Sequence, residues 1–462
     1  FADAKITGPL FNLPAGMVNF AAGGELRHES YVNTPTANLA NGDIVGYGDS
    51  TSDASRTTEA VYTELSIPIV KNLEAQAALR ADKFPDLTTH LSPKLALRYA
   101  ATDSLLLRGT IERGFRAPNL VESASSTKYA FDYNNADPLR CPQATALSNA
   151  LKSQAAALPA NSAQAALLYA RAESVSGDEC NFALADEVKN NPDLQPETSR
   201  GISLGMVLEP VKGYSASIDY WNIDRKNAIG LEQSSQLLDG GPPPPGTTLN
   251  RAPLNASSDP VFTAAEIAQY GVTAGPLLNV VRELENISEQ KTSGIDLVLK
   301  TATKTGIGKV TTAFDGTYMI GYYDSSISDI HENLAGQYYY PHFSGNWTVS
   351  LDNADFSNSL RFNYVSGYAL RLGSLDTTWS TAGCAANNFT PDQCRVKGSQ
   401  TVNYYFAYNG IKNLTLSLNL LNIFDQRAPA DLRAFGIGGI VPTSLQDAEG
   451  RMLRVAMKYK FN

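Results

Sequence analysis

Apolar and polar side chains alternate along this chain in segment after segment, and no other feature limits its possible folds as strongly. From Asn413 to Leu420, Leu414, Leu416, Leu418 and Leu420 fall on one face while Thr415, Ser417 and Asn419 fall on the other. Leu105, Leu107, Gly109 and Ile111 oppose Leu106, Arg108, Thr110 and Glu112 in the same way. Leu453, Val455, Met457, Tyr459 and Phe461 oppose Arg454, Ala456, Lys458 and Lys460. A period of two belongs to strands, whose successive side chains point to opposite faces. Read at that period, the chain predicts about fourteen strands, near 17–32, 57–70, 72–84, 91–102, 105–117, 199–209, 214–228, 284–302, 307–323, 338–353, 358–370, 401–411, 413–425 and 451–461.

The connections sort by parity. Every second one is tight, at 70–72, 101–104, 210–213, 303–306, 355–357 and 411–413. The alternate ones are long, at 35–56, 118–198, 230–281, 324–337, 371–400 and 426–450, with one short exception near 85–89. Short turns on one side and elaborate loops on the other suit an outer-membrane barrel, and a sandwich or propeller has no reason for them. The expected fold class is therefore all-β, an antiparallel transmembrane β-barrel carrying short helices in long extracellular loops. Composition is compatible. No apolar run reaches the roughly 18 residues a membrane helix needs, and a mean hydropathy of −0.21 suits strands with one apolar and one polar face. A net charge of −9 without a basic stripe leaves no footprint for nucleic acid, and 43% hydrophobic residues argue against disorder.

The loops carry signals of their own. Alanine-rich stretches at 144–158 and 163–172 predict one or two helices in the longest loop, and Thr263 reads as the cap of a short helix reaching Tyr270. Loops this long are usually functional or disordered. Four cysteines occur as two local pairs, Cys141 with Cys180 and Cys384 with Cys394, each inside a long loop. Three pairings are possible in principle, and neighbour pairing is the simplest; it would place both loops in an oxidising compartment. No CxxC or nearby histidine completes a zinc set. Phe1 to Asn33 lacks a basic region followed by an apolar one, so the N-terminus reads as mature, processed or truncated.

Three motifs add a family. Arg113-Gly114-Phe115-Arg116-Ala117-Pro118-Asn119-Leu120 resembles the FRAP-type motif of TonB-dependent outer-membrane receptors, and Asn191 to Thr198 (NPDLQPET) resembles their NPxLxPE motif after the next long loop. Asn419 to Asp425 is similar to the N-L-F-D strand end before their last loop, and the alternating final strand ends on Phe461, one residue before Asn462. The prolines read as corners, because they cannot donate to a ladder. The resemblance implies that residues 1–462 are the C-terminal part of a twenty-two-stranded barrel whose remaining strands, plug domain and TonB box lie outside this chain. It also implies a Gram-negative outer membrane with its lipid and lipopolysaccharide, and coupling to the TonB-ExbB-ExbD system through the plug.

Chemistry is mostly absent from the pattern. The histidines are His28, His90, His331 and His342, with no H-E-x-x-H, so no metal site is expected. Gly201-Ile202-Ser203-Leu204-Gly205 matches G-x-S-x-G but lies inside an alternating strand rather than at an elbow. No enzyme activity and no cofactor are expected. Haem is disfavoured, because the family's haem receptors resemble this chain in both boxes but take an axial histidine from the loop between them, and 118–191 has none.

The candidate substrate contacts are aromatic loop residues, Tyr129, Phe131 and Tyr133 in the largest loop and Trp379 beside the second cysteine pair, since rings give large contact area at small entropy cost. Tyr338 to Tyr340 read instead as an interfacial girdle. Arg108, Glu112 and Asp296 are candidates for a plug-facing lumen wall; Gly294-Ile295-Asp296 resembles the family's G-(V/I)-E strand, whose acid pairs with plug arginines, with Asp in place of Glu, while Ser203 stands where the other such acid would be. The expected function is capture of a scarce, bulky nutrient, an oligosaccharide, a peptide or a siderophore-like molecule, for energised uptake. The alternative is a passive porin-like channel or a surface receptor or adhesin. Acids outnumber bases between Pro118 and Thr198, which leans the reading toward a neutral or cationic substrate over an anionic siderophore.

Overall fold

A computed structural model describes residues 1–461 except 45–48, 86, 124–125, 160–161, 232–237, 239–242, 244–245, 375 and 434–448. Along the chain, β1 (Ala2–Leu13), β2 (Gly16–Asn33), β3 (Ser50–Val70), β4 (Leu73–Lys83), β5 (His90–Thr102) and β6 (Leu105–Arg116) form an antiparallel meander. β7 (Ser126–Asn135) and β8 (Phe182–Lys189) lie in the first large loop, after which β9 (Glu197–Val211) and β10 (Tyr214–Gly230) return to the wall. β11 (Thr248–Arg251) and β12 (Leu277–Glu283) occupy the second large loop, and β13 (Glu285–Thr305), β14 (Gly308–Asp324), β15 (Phe343–Asp352) and β16 (Phe356–Val365) continue the wall. A short ladder of β17 (Tyr368–Ala369) and β18 (Arg395–Val396) precedes β19 (Ser399–Ile411), β20 (Leu414–Leu421) and β21 (Met452–Tyr459). Among the described residues no helix is long and apolar enough to cross a membrane, which says nothing about strands.

All fourteen predicted strands are present in the wall, and β1 is a fifteenth wall strand that the sequence hid. Pro9 interrupts its pattern, and the register shifts between Pro9 and Phe11, a bulge that removes the need for the missing N–H. The predicted start of β15 at residue 338 is corrected to Phe343: Pro341 stops the strand, and Tyr339 has a positive φ of 66°. The tight turns need special backbone too. Gly213 has φ 89°, and a Cβ there would fall 2.5 Å from the Ala302 carbonyl.

Register carries each face unbroken around the wall. Tyr99 opposes Leu107, Leu107 opposes Met206, Met206 opposes Ile218 and Ile218 opposes Leu297, and all five remain 37–42% exposed. One residue along, Arg98, Arg108, Gly205, Asp219, Asp296 and Thr317 form the equivalent row on the other face. An outward apolar band with a polar inner face is the pattern of a wall immersed in lipid.

Above the long-loop end the rule reverses. β7 extends from the start of β3 and pairs with β8, β8 runs parallel to β12, and β12 pairs with β11. Two helices, Cys141–Ala156 and Ala163–Cys180, pack with a third, Ala264–Tyr270. Ser162 caps the second helix by accepting from Ala165 N, and Thr263 with Glu266 forms a reciprocal capping box on the third. Ala144, Leu147, Leu151, Ala172 and Val175 from the first loop bury against Val261, Phe262 and Val272 from the second. The two loops thus share one core. Disulfides join Cys141 to Cys180 and Cys384 to Cys394.

Candidate functional site

The two boxes meet in space. Arg116 and Glu197 are direct partners in the ladder between β6 and β9, and the Arg116 guanidinium donates to Glu197 at 2.7 Å and to Glu122 at 2.8 Å. Glu197 is almost fully buried and also accepts from the Ile229 N–H at 2.9 Å and from Arg225 at 3.3 Å. Asn119 and Glu122 cap each other's backbone, Asn191 donates to the Leu284 carbonyl at 3.0 Å, and Leu194 and Pro196 are buried. A strand-end arginine in the first box and a buried acid in the second therefore lock the exit from and return to the wall around an 80-residue excursion. The architectural reading of both motifs is the one the contacts support.

A second network fastens the large loops together. Arg140, fully buried, donates to both Asp259 carboxylate oxygens at 2.9 Å, to Glu179 at 2.8 Å and to the Ala274 carbonyl at 2.8 Å. Arg251 makes a bidentate pair with Asp137 at 2.6 and 2.8 Å, and Arg282 pairs with the buried Asp186. Arg140–Asp259, Arg251–Asp137 and Arg282–Asp186 join the loop after β6 to the loop after β10, while Arg140–Glu179 lies within the first. Burial works against the charge on Arg140, but its two carboxylates outweigh that and hold it more firmly protonated than usual. Burial also pushes Asp259 up, yet Arg140 and the Phe262 and Val261 N–H groups bring it below the ordinary range. Glu179 shares the same arginine without such amide donors, and burial leaves it raised. None of these arginines stood out in the sequence. The available signal was position: Arg140 and Glu179 immediately precede Cys141 and Cys180, so a disulfide brings them together.

The predicted site residues divide. Arg108 lies on the polar inner face and reaches Asp219 with two bonds, of 2.8 and 2.6 Å, across Gly205. A Cβ there would fall 1.9 Å from Asp219 Oδ1 and 2.9 Å from Arg108 Nε, so any larger residue makes the pair shift. Asp296 lies directly opposite Asp219 and accepts from Thr317 Oγ1 at 2.7 Å. Glu112 makes a long contact of 3.9 Å with Lys94, both half exposed, and lines an open concavity of about 590 Å³ on the inner face with Asp3, Glu25, Tyr62 and Arg80. Tyr129 is half-buried in β7 with its ring over Gly42, and burial, then Glu187 and Asp43, raise its phenol. Phe131 is also half-buried on β7, and the Tyr133 side chain lies outside the described residues. Trp379 stacks on Phe389 at 5.6 Å and packs against a cluster of Tyr338, Tyr368, Leu370 and Val396. Tyr338 is therefore a core residue of its loop and not a girdle, with Arg433 lying 4.6 Å over its ring. Among the described residues no three His, Cys, Asp or Glu side chains cluster to hold a metal.

With this wall in place, the TonB-dependent receptor-like β-barrel family matches residues 3–423. The chain belongs to that family. Its solved structural neighbours include the siderophore receptor PirA of Acinetobacter baumannii, at 17% identity and a TM-score of 0.60 over 99% of this chain and 54% of that one. The ferric enterobactin receptor PfeA of Pseudomonas aeruginosa gives 16%, 0.61, 99% and 53%, and the FrpB iron transporter of Neisseria meningitidis 14%, 0.51, 96% and 52%. The chain thus spans about half the length of the receptors it matches. No curated protein matches it. At these identities the likeness shows the TonB-dependent receptor fold alone. In that fold the third motif also proves structural: Asn422, with φ 49°, accepts from Gln426 N at 2.9 Å as β20 ends, and Asp425 accepts from Arg451 N at 2.8 Å as the chain turns toward β21.

Proposed function

We propose that this chain forms the transmembrane wall and capture loops of a Gram-negative outer-membrane receptor that takes up a bulky polar solute, with energy delivered by the TonB system through a plug outside these residues. The observation that carries the reading is the one-sided construction. A polar-lined wall bears, at one end only, a disulfide-stapled domain built from two loops that are far larger than connection requires.

The substrate class stays at oligosaccharide, peptide or siderophore-like chelate, with Tyr129 and Phe131 as candidate contacts. The charge argument against an anion thins, however. Glu179, Asp137, Asp186 and Glu197 are buried and paired with arginines, so the acid count in the largest loop overstates its field.

Uptake of labelled ferric-siderophore, glycan and peptide panels by cells expressing the full-length receptor, with and without TonB, tests the proposal. One panel should accumulate only when TonB is present. Equal accumulation without TonB would support the passive channel, and surface binding without accumulation the adhesin.

A further inference from the structure

The outer face of the wall changes character at its loop end, and the register fixes where. Leu107, Met206, Ile218 and Leu297 lie in one apolar row; the next toward the loops is Gly109, Leu204, Tyr220, Ile295 and Tyr318, and the one after that Ile111, Ile202, Asn222 and Ser293. One step further the row reads Arg113, Arg200, Asp224, Lys291 and Tyr323. Arg113 and Arg200 are direct partners in the ladder between β6 and β9, and both are exposed. Their chain neighbours Glu112 and Gly201 are the facing pair on the inner side, so the two guanidiniums leave the wall outward. Among the described residues neither arginine closes an ion pair, although Lys226 on β10 and Lys291 on β13 both reach Glu289, at 3.8 and 3.4 Å. Asp224 faces Arg200 in the ladder without pairing. From β2 to β5 the same end of the outer face carries Asp53, Glu59 and Lys83, so the excess of positive charge is local to β6 and β9.

Like charges directly opposite each other destabilise a ladder, because the register holds their Cβ atoms only about 5 Å apart. Two guanidiniums so placed relieve that repulsion by sharing one anion, and their planar forks match phosphate oxygens. We infer that Arg113 and Arg200 form a site for a phosphate group of an outer-leaflet glycolipid, the phosphorylated lipid anchor of lipopolysaccharide. The choice of leaflet rests on the orientation given under the proposed function, with the long loops outside. Position selects a lipid over a soluble anion. Ile111 and Ile202 lie one step from the pair toward the tight turns, and Leu204 and Tyr220 one step beyond them, all on the lipid-facing side. A ligand whose phosphate meets the arginines therefore has its acyl chains against these rows. Tyr220 and Tyr318 suit the same boundary, where amphipathic rings sit at headgroup level.

Native mass spectrometry of the full-length receptor tests this, with the detergent-solubilised protein offered phosphorylated lipid A, dephosphorylated lipid A or phosphatidylglycerol. The wild-type protein should retain phosphorylated over dephosphorylated lipid A by about 25-fold, from about five-fold for each arginine near an anionic headgroup. Arg113→Gln or Arg200→Gln alone should leave about five-fold, and the two together should bring the lipids to within about two-fold of each other. Arg113→Lys with Arg200→Lys should keep most of the preference. Arg98→Gln, on the inner face, should leave it unchanged. No preference in the wild type, or one that survives both Gln substitutions, overturns the inference, and its loss in Arg98→Gln overturns the assignment to the outer face. Displacement of lipid A by millimolar inorganic phosphate, or arginine-dependent retention of phosphatidylglycerol without retention of lipid A, overturns the choice of occupant. Lipid retention needs no transport, so a failure of TonB-dependent uptake would count against the proposed function and not against this result.

Discussion

The strand wall and the loop domain above it obey opposite rules. In the wall, Leu107, Met206, Ile218 and Leu297 stay outside while Arg108, Asp219 and Asp296 face inward. In the loop domain, Val175 and Phe262 are buried. There even the charges are inside, but only as matched sets around Arg140, Arg251 and Arg282. The difference teaches that one chain is written for two solvents. Lipid rewards exposed apolar surface and tolerates a wet interior, whereas water rewards a dry core and tolerates buried charge only when it is paired.

Arg140 is where the contrast breaks most sharply. Arg140→Met leaves Glu179 and Asp259 buried without a counter-charge and should cost the loop domain about 3–5 kcal/mol. Proteolysis and hydrogen exchange should report the loss between residues 118 and 283 while the wall keeps its β signal. Unchanged protection there would show that the loops do not depend on this network.

For the wall, the sharper test is a neighbouring pair. Ile218→Arg puts a charge on the lipid face of β10 and should cost about 2–4 kcal/mol, read as a shift in the denaturant midpoint of the protein folded into vesicles. Ser217→Arg, one residue away on the lumen face, should change that midpoint little. Equal effects would contradict the assignment of faces.

The disulfides offer a graded effect. They close 39-residue and 10-residue separations. Replacing Cys141 and Cys180 by serine should destabilise the loop domain by about 2–4 kcal/mol, roughly 1 kcal/mol more than the same change at Cys384 and Cys394, since the longer loop has more entropy to lose. Thermal melts of the two double variants compare them directly.

The smallest effect is expected at Gly205. Gly205→Ala wedges a methyl between Arg108 and Asp219, but the arginine is half exposed and the carboxylate sits at the end of a mobile side chain. Stability should fall by less than about 1 kcal/mol. A double-mutant cycle with Asp219→Asn would measure what remains of the pair.

What could be read from the sequence was everything set by neighbours along the chain. Fourteen strands, the tight turns, the helices capped by Ser162 and Thr263 and the local cysteine pairs all rest on spacings of a few residues or on a single loop. The two boxes were legible as corners, though not the reason they occur together, which is the contact of Arg116 with Glu197. β1 escaped because Pro9 breaks the alternation and only its pairing with β2 reveals the bulge. The loop sheet escaped for a different reason: β8 and β12 run parallel, and no local pattern specifies a partner some ninety residues away. The candidate site was the least legible. Whether a loop acid projects into solvent or is cancelled by an arginine from another loop depends on folding both loops together, as Arg140 and Asp259 do. Whether Tyr338 faces the membrane or its own core likewise depends on Tyr368 and Val396 arriving from the next loop. Local periodicity sets which face of a strand is apolar, but charge and aromatic surface in long loops are settled only by which segments meet.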